Sequence, residues 1–314
     1  MRCRRHLIPA VVLTVAVLAA GCFNTSSAPL SLNEAHQKFK NVLKEEYDLD
    51  VILSPLQDTL WIYLPTDKEL FKLAAKQNGA QASSQAVHAP EILFLDGNFG
   101  QGRLEVQYDI AEQKKYAKDP GYASSYTEEF QRAQRALLSA LPRVYAAVEQ
   151  VPGQREFMNG ERAQRRKRFI ESYLKTDKAP TFIVIVIADI VNGIESKLMA
   201  HMRDLRQGTT DQFFMEEYTK RLVYADPRGG MEIIGDRTGE HLDMHEVTLP
   251  EFLIEQILYR IKFKYQRSDF PPSEDTEEEI LKIVNDTVRA YGFEDYTQIK
   301  LTNLHTDKSY LYDK

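Results

Sequence analysis

The segment His241-Leu-Asp243-Met-His245-Glu246 holds the densest group of side chains that could bind a metal. On a helix, His241 and His245 would share a face. On a strand, His241, Asp243 and His245 would share one. Either arrangement offers imidazole and carboxylate donors to a divalent ion. The order is not H-E-x-x-H, because Glu246 follows the second histidine. The segment lies between Gly239 and a helix start, so exposed polar residues in a loop are the plainer reading. Asp189 is a second candidate. It closes an apolar run, and a rigid strand end positions a carboxylate well for chemistry. With Asp204 and His201 on an adjoining strand it could form a polar site at a sheet edge. A turn aspartate before Asn192-Gly193 is the simpler alternative.

Two further groups could bind rather than react. Arg162–Arg168 (RAQRRKR) places five positive charges in seven residues. It could meet anionic lipid headgroups or an acidic partner. Glu161 and Glu171 dilute it, and a solvated helix face is the commoner fate of such a run. Trp61 and Tyr63 could form a ligand platform, although core aromatics are more usual in a strand with apolar neighbours. No G-x-S-x-G elbow occurs, and GNFGQG (97–102) lacks the lysine of a phosphate loop. No cofactor is expected.

The bulk composition is that of a globular protein. The chain has 314 residues, 43% of them apolar and 27% charged, with a net charge of −6. These values exclude a wholly disordered chain and a disulfide-dense miniprotein. The acidic balance argues against nucleic acid as a partner.

One long apolar run stands near the N-terminus. Arg2, Arg4 and Arg5 precede the apolar stretch Leu7–Ala20, which is too short to span a bilayer comfortably. Small residues follow in Leu18-Ala19-Ala20-Gly21-Cys22. This pattern marks a secretory signal. The segment resembles a bacterial lipoprotein signal peptide with its lipobox, with Ala19 where that class usually has Leu. The resemblance covers residues 1–22 only. It implies cleavage before Cys22 and lipid attachment to that cysteine, with the mature domain held at the cell envelope outside the cytoplasm. Cys3 would leave with the leader, and no free thiol would remain. Phe23–Pro29 is small and polar, so residues 22–30 read as a lipidated tether.

The rest of the chain reads as alternating helices and hairpins. Ser31-Leu-Asn-Glu34 is a capping box before an amphipathic helix reaching Tyr47. Asp50–Leu56 and Thr59–Leu64 are strands around Gln57-Asp58, Asp67–Lys76 is a short helix, and 78–90 is a polar loop. Ile92–Leu95 and Arg103–Ile110 are strands joined by GNFGQG. Ser124–Gln150 is a long helix that Pro142 should kink or split. Arg162–Lys175 is a polar helix. Thr181–Ala188 (TFIVIVIA) is apolar without alternation, hence a strand covered on both faces. Ile194–Met202 is its partner strand across Asn192-Gly193, although Ile194, Leu198, Met202 and Leu205 also fit a helix. Thr210–Tyr224 is helical, and Met231–Ile234 is a short strand. Thr248-Leu-Pro-Glu251 caps an apolar helix through Ile261. Ser273–Tyr291 is a helix stopped by Gly292, and Gln298–Thr302 with Ser309–Tyr312 forms a last hairpin.

No βαβ rhythm recurs. The expected class is α+β: a mainly antiparallel or mixed sheet with packed amphipathic helices. Residues 31–314 form one globular region, or two packed lobes dividing near 152. The leading functional expectation is a lipid-anchored, non-catalytic envelope scaffold, adaptor or assembly factor. The alternatives are an envelope hydrolase using carboxylates or a metal, and a lipoprotein that binds a small ligand.

Overall fold

Eight consecutive buried residues, Phe182–Asp189, organise the architecture. The computed structural model describes residues 29–72, 86–116, 125–147, 174–209, 215–265 and 276–314. The chain opens with helix α1 (Leu32–Tyr47), then strands β1 (Ile52–Leu56), β2 (Thr59–Thr66), β3 (Phe71–Lys72), β4 (Ala86–Gly100), β5 (Arg103–Tyr116) and β6 (Ser125–Tyr126). Helix α2 (Glu128–Val144) and strands β7 (Ala146–Ala147), β8 (Lys175–Thr176), β9 (Phe182–Asp189) and β10 (Ile194–His201) follow. Next come helices α3 (Met202–Thr209) and α4 (Met215–Arg221), and the short strands β11 (Val223–Tyr224) and β12 (Arg228–Gly229). Helices α5 (Leu249–Tyr265) and α6 (Thr276–Tyr291) and strands β13 (Gln298–Asn303) and β14 (Lys308–Asp313) complete it.

The main sheet has the order β1-β2-β9-β10-β11, with β12 also on β10. β2 and β9 are parallel; the other pairs are antiparallel. The second sheet runs β14-β13-β5-β4, with β13 parallel to β5. The fold is therefore α+β with two mixed sheets. Both sheets draw strands from each side of residue 152, although that residue lies outside the described ones.

Alternation along β9 divides the core in two. Phe182, Val184, Val186 and Ala188 face one side with Trp61 and Tyr63. Ile183, Ile185 and Ile187 face the other with Leu60, Ile62 and Leu64, and meet α1, α2 and α3. On the first side α5 lies between the two sheets. Its Phe252 packs on Phe182 at 5.3 Å between ring centroids. Its Ile254 and Leu258 close on Gly97 of β4, where a Cβ would sit 3.1 and 3.3 Å from them. A helix squeezed between two sheets needs apolar residues nearly all round, which is what LPEFLIEQILYRI supplies.

The expected caps form. Ser31 and Glu34 make the reciprocal box on α1, and Thr248 and Glu251 do so on α5 at 3.4 Å in each direction. Gly292, with φ of 64°, ends α6.

Several expected elements differ. Leu70–Lys72 is not helical, because Leu70 bonds Asp189 and Thr127, and Phe71–Lys72 pairs with β6. Asp67–Glu69 are bend and irregular chain, and residues 73–76 with most of the 78–90 loop lie outside the described residues. Ala86–Pro90 is strand, because its pairing with Glu112–Tyr116 overrides local composition. The β4–β5 turn shrinks to Gln101-Gly102, both at positive φ, the geometry of a tight primed hairpin. Pro142 does not split α2. It lies in the last turn, where few downstream bonds remain to be lost. Lys175–Thr176 pairs with β7 rather than continuing a helix; 162–173 is outside the described residues. Val223–Tyr224 leaves the expected helix to pair with β10. Met231–Ile234 forms successive turns rather than a strand, and Met231 is 82% exposed.

Replacing Phe252 by Ala is expected to cost about 3–5 kcal/mol in denaturant unfolding. Met231→Ala, on the surface, should stay within about 0.5 kcal/mol.

Candidate functional site

The polar residues singled out in the sequence fall into three separate places. His241 lies in the long connection Gly230–Val247, which contains no helix or strand. Its side chain is only 4% exposed. Nδ1 is 2.5 Å from Asp236 Oδ2, and Nε2 is 2.7 Å from Glu195 Oε2 on β10. Glu195 Oε1 in turn accepts from Arg228 Nε at 2.5 Å. The Tyr63 ring stands edge-on to the imidazole at 5.7 Å.

This geometry sets the charge states. Burial works to raise the Asp236 pKa, but donors from His241, Thr238 and Gly239 outweigh it and hold the carboxyl well below its ordinary range. Burial disfavours the His241 cation. The bonds to Asp236 and Glu195 and their charges prevail, so its pKa lies above the ordinary histidine value.

His245 points elsewhere. Its Nε2 is 2.7 Å from Glu251 Oε1, and this bond, acting against burial, raises its pKa. Asp243 is exposed and offers its backbone oxygen to His245 Nδ1 at 3.0 Å. His241, Asp243 and His245 therefore do not converge. Among the described residues, no group of three His, Cys, Asp or Glu side chains could hold a metal.

Asp189 is buried at the end of β9. Its oxygens accept from the backbone N–H of Leu70 (3.1 Å) and Asn192 (3.0 Å) and from the Asn192 side chain (2.8 Å). It pins the β9–β10 turn to the β2–β3 connection. The turn aspartate of the simpler reading is thus what the structure contains, extended by the bond to Leu70.

Asp204 is not near it. It sits on α3, fully buried, 2.9 Å from Arg221 Nη1 and 2.6 Å from Tyr291 Oη. Arg221 also bonds Glu217 at 2.9 Å, and Glu217 accepts from Arg260 at 2.8 Å. This network links α3, α4, α5 and α6. His201 lies beside it among Phe182, Phe252 and Tyr291. Burial pushes its pKa down to about 4, and its Nδ1 accepts from Arg203 N.

Trp61 and Tyr63 are core residues, as the commoner reading has it. Trp61 donates to His245 O at 2.8 Å, and Tyr63 to Asp236 O at 2.8 Å. Two open concavities among the described residues lie elsewhere: about 620 Å³ beside Tyr47 and Arg132, and about 490 Å³ beside Leu30 and Leu174. Neither contains a candidate residue. Cys22 and the basic run 162–168 are outside the described residues.

Sequence reasoning missed Glu195, Asp236, Arg221 and Tyr291. Glu195 carried a faint signal, since it is a charge on a strand face that turns out to be covered. The other three meet their partners from 17 to 87 residues away or within an irregular loop, and no spacing rule reveals that. Comparison with protein-family models, curated proteins and solved structures finds no match to this chain.

Asp204→Ala leaves Arg221 without that buried counter-ion and should destabilise by about 3–5 kcal/mol. Tyr291→Phe removes one hydrogen bond and should cost about 1–3 kcal/mol. Chemical denaturation of both variants checks this ranking.

Proposed function

We propose that the protein is a lipid-anchored component of the bacterial cell envelope. It would act without catalysis, as a scaffold, adaptor or assembly factor for another envelope protein. The observation that carries this reading is the sequence Leu18-Ala-Ala-Gly-Cys22 behind a short basic and apolar leader.

The folded body supports it in two ways. First, the fold starts close to the proposed lipid. Leu30 already bridges Thr176, and Leu30 O accepts from Asp177 N at 3.0 Å. Seven residues lie between Cys22 and Leu30, so the eight chain steps reach about 28 Å at most. Such a tether confines the domain to a thin layer and raises its effective concentration toward membrane partners. Second, Asp189, Asp204 and His241 are occupied in holding turns, helices and a loop together.

No described helix is long and apolar enough to cross a membrane. In this reading the association depends on the acyl chains, at roughly 0.8 kcal/mol per buried CH₂.

The full chain should fractionate with membranes, and its intact mass should show the leader removed and acyl groups on residue 22. Cys22→Ser should abolish both. Membrane association that survives the substitution, or a leader still attached in the wild type, would overturn the anchoring. Crosslinking in intact cells should capture a recurrent envelope protein. A protein that stays solitary at every crosslinker length would overturn the scaffold role.

A further inference from the structure

We propose that Gly230–Val247 is a strap latched across the main sheet by the imidazolium of His241, and that loss of this proton releases it. The release is a local conformational switch rather than unfolding.

The strap runs the length of β2. Gly235 N donates to Ile190 O at one end of the sheet, and Val247 N donates to Thr59 Oγ1 at the other. Between them, Asp236 O accepts from Tyr63 and His245 O accepts from Trp61. Connections this long without regular structure are uncommon in compact domains and are often functional. Ile233 and Val247 of the strap are buried and Leu242 and Met244 pack against the same core, whereas Met231 and Ile234 are exposed. Midway along, its hold is polar, and the His241 side chain, 4% exposed, is the charged link there.

The latch works only with a charged ring. Two carboxylates face the two ring nitrogens, and ionised carboxylates accept but never donate. Both nitrogens must then carry protons. A neutral imidazole would turn a lone pair toward Asp236 or toward Glu195 inside the protein, where an unpaired charge is costly. The groups around the ring are few. Glu195 comes from β10, with Arg228 of β12 on its far oxygen. Asp236 comes from the strap itself. Tyr63 comes from β2 and bonds Asp236 O rather than the ring. The Arg237–Asp67 pair lies outside, with both side chains mostly exposed. Lys197 is engaged over Trp61 at 5.0 Å. If the ring loses its charge, Arg228 stays on Glu195, but among the described residues no other cation is paired with Asp236.

The sign follows from linkage. The folded pKa of His241 is raised, so its contribution is complete below the unfolded value of about 6.5. It is lost as pH rises through the folded value. Asp236 has a lowered pKa, so the acid side of the latch persists well below the usual carboxylate range. The strap is closed below the ordinary histidine pKa and opens as pH rises through the raised folded value, uncovering Trp61 and Tyr63.

The chain has one tryptophan, and it is bonded to the strap. Trp61 emission of the full chain in detergent, followed from pH 5 to 10 beside far-ultraviolet circular dichroism, reads the latch directly. The expected result is a red shift centred above the ordinary histidine pKa, with unchanged circular dichroism. Glu195→Gln removes one counter-charge and should move the midpoint down by about one pH unit or more. His241→Gln should show no midpoint. His245→Asn, which removes the ring 5.9 Å from Trp61, should keep it. An emission that does not change with pH would overturn the latch. So would a shift that coincides with loss of circular dichroism, a midpoint unmoved by Glu195→Gln, or one abolished by His245→Asn alone.

Discussion

Everything in this fold is arranged around covering one strand on both faces. Phe182–Asp189 has no exposed side, so each residue demands a partner from a different layer. A strand of this kind cannot sit at an edge, and it sits between β2 and β10. The odd-numbered isoleucines recruit α1, α2 and α3. The even-numbered residues recruit α5, which is apolar over most of its circumference and must be covered again. The second sheet supplies that cover, through Gly97 and the alternating Leu104, Val106 and Tyr108. One unbroken apolar run thus generates layer upon layer.

Such layering leaves buried places where charged side chains meet, and the two polar networks occupy them. The Asp204 network joins the helices α3 to α6, and the Glu195–His241–Asp236 group joins a strand to a loop. Buried ion pairs add little net stability, because desolvation offsets their attraction. Their effect is on arrangement. Asp204 with its partners favours one packing of four helices, and His241 with its partners favours one path for eighteen residues that lack any backbone ladder. The cost of breaking either group by removing one member exceeds the gain from having it.

The fold was more legible in the sequence than the polar groupings. Thr181–Ala188, the capping boxes at Ser31 and Thr248, the Asn192-Gly193 turn and Gly292 all act locally, through burial period, cap geometry or backbone freedom. These were read from spacing alone. The misreadings have a common cause. Leu70–Lys72, Ala86–Pro90 and Val223–Tyr224 are extended because a distant strand or carboxylate supplies their bonds. The same cause hides the polar clusters. His241, Asp243 and His245 suggest convergence by spacing, yet the first and last find separate carboxylates, Asp236 with Glu195 and Glu251. Asp189 was legible because its partner Asn192 is three residues away.

The layering also gives the molecule two unlike ends. Chain entry is fixed at the start of β9, where Asp58 O accepts from Thr181 and Phe182 and Leu30 joins Asp177. The far end of β9 carries Asp189, the β9–β10 turn and the start of the strap. Eight strand residues separate them, about 26 Å at the usual rise. The strap runs back along β2 and delivers the chain to Thr248, where α5 begins. A disturbance at its far end thus has a covalent route to the helix held between the two sheets. That route passes Glu251, which both caps α5 and holds His245. The last residues of the strap and the first turn of α5 therefore share one carboxylate.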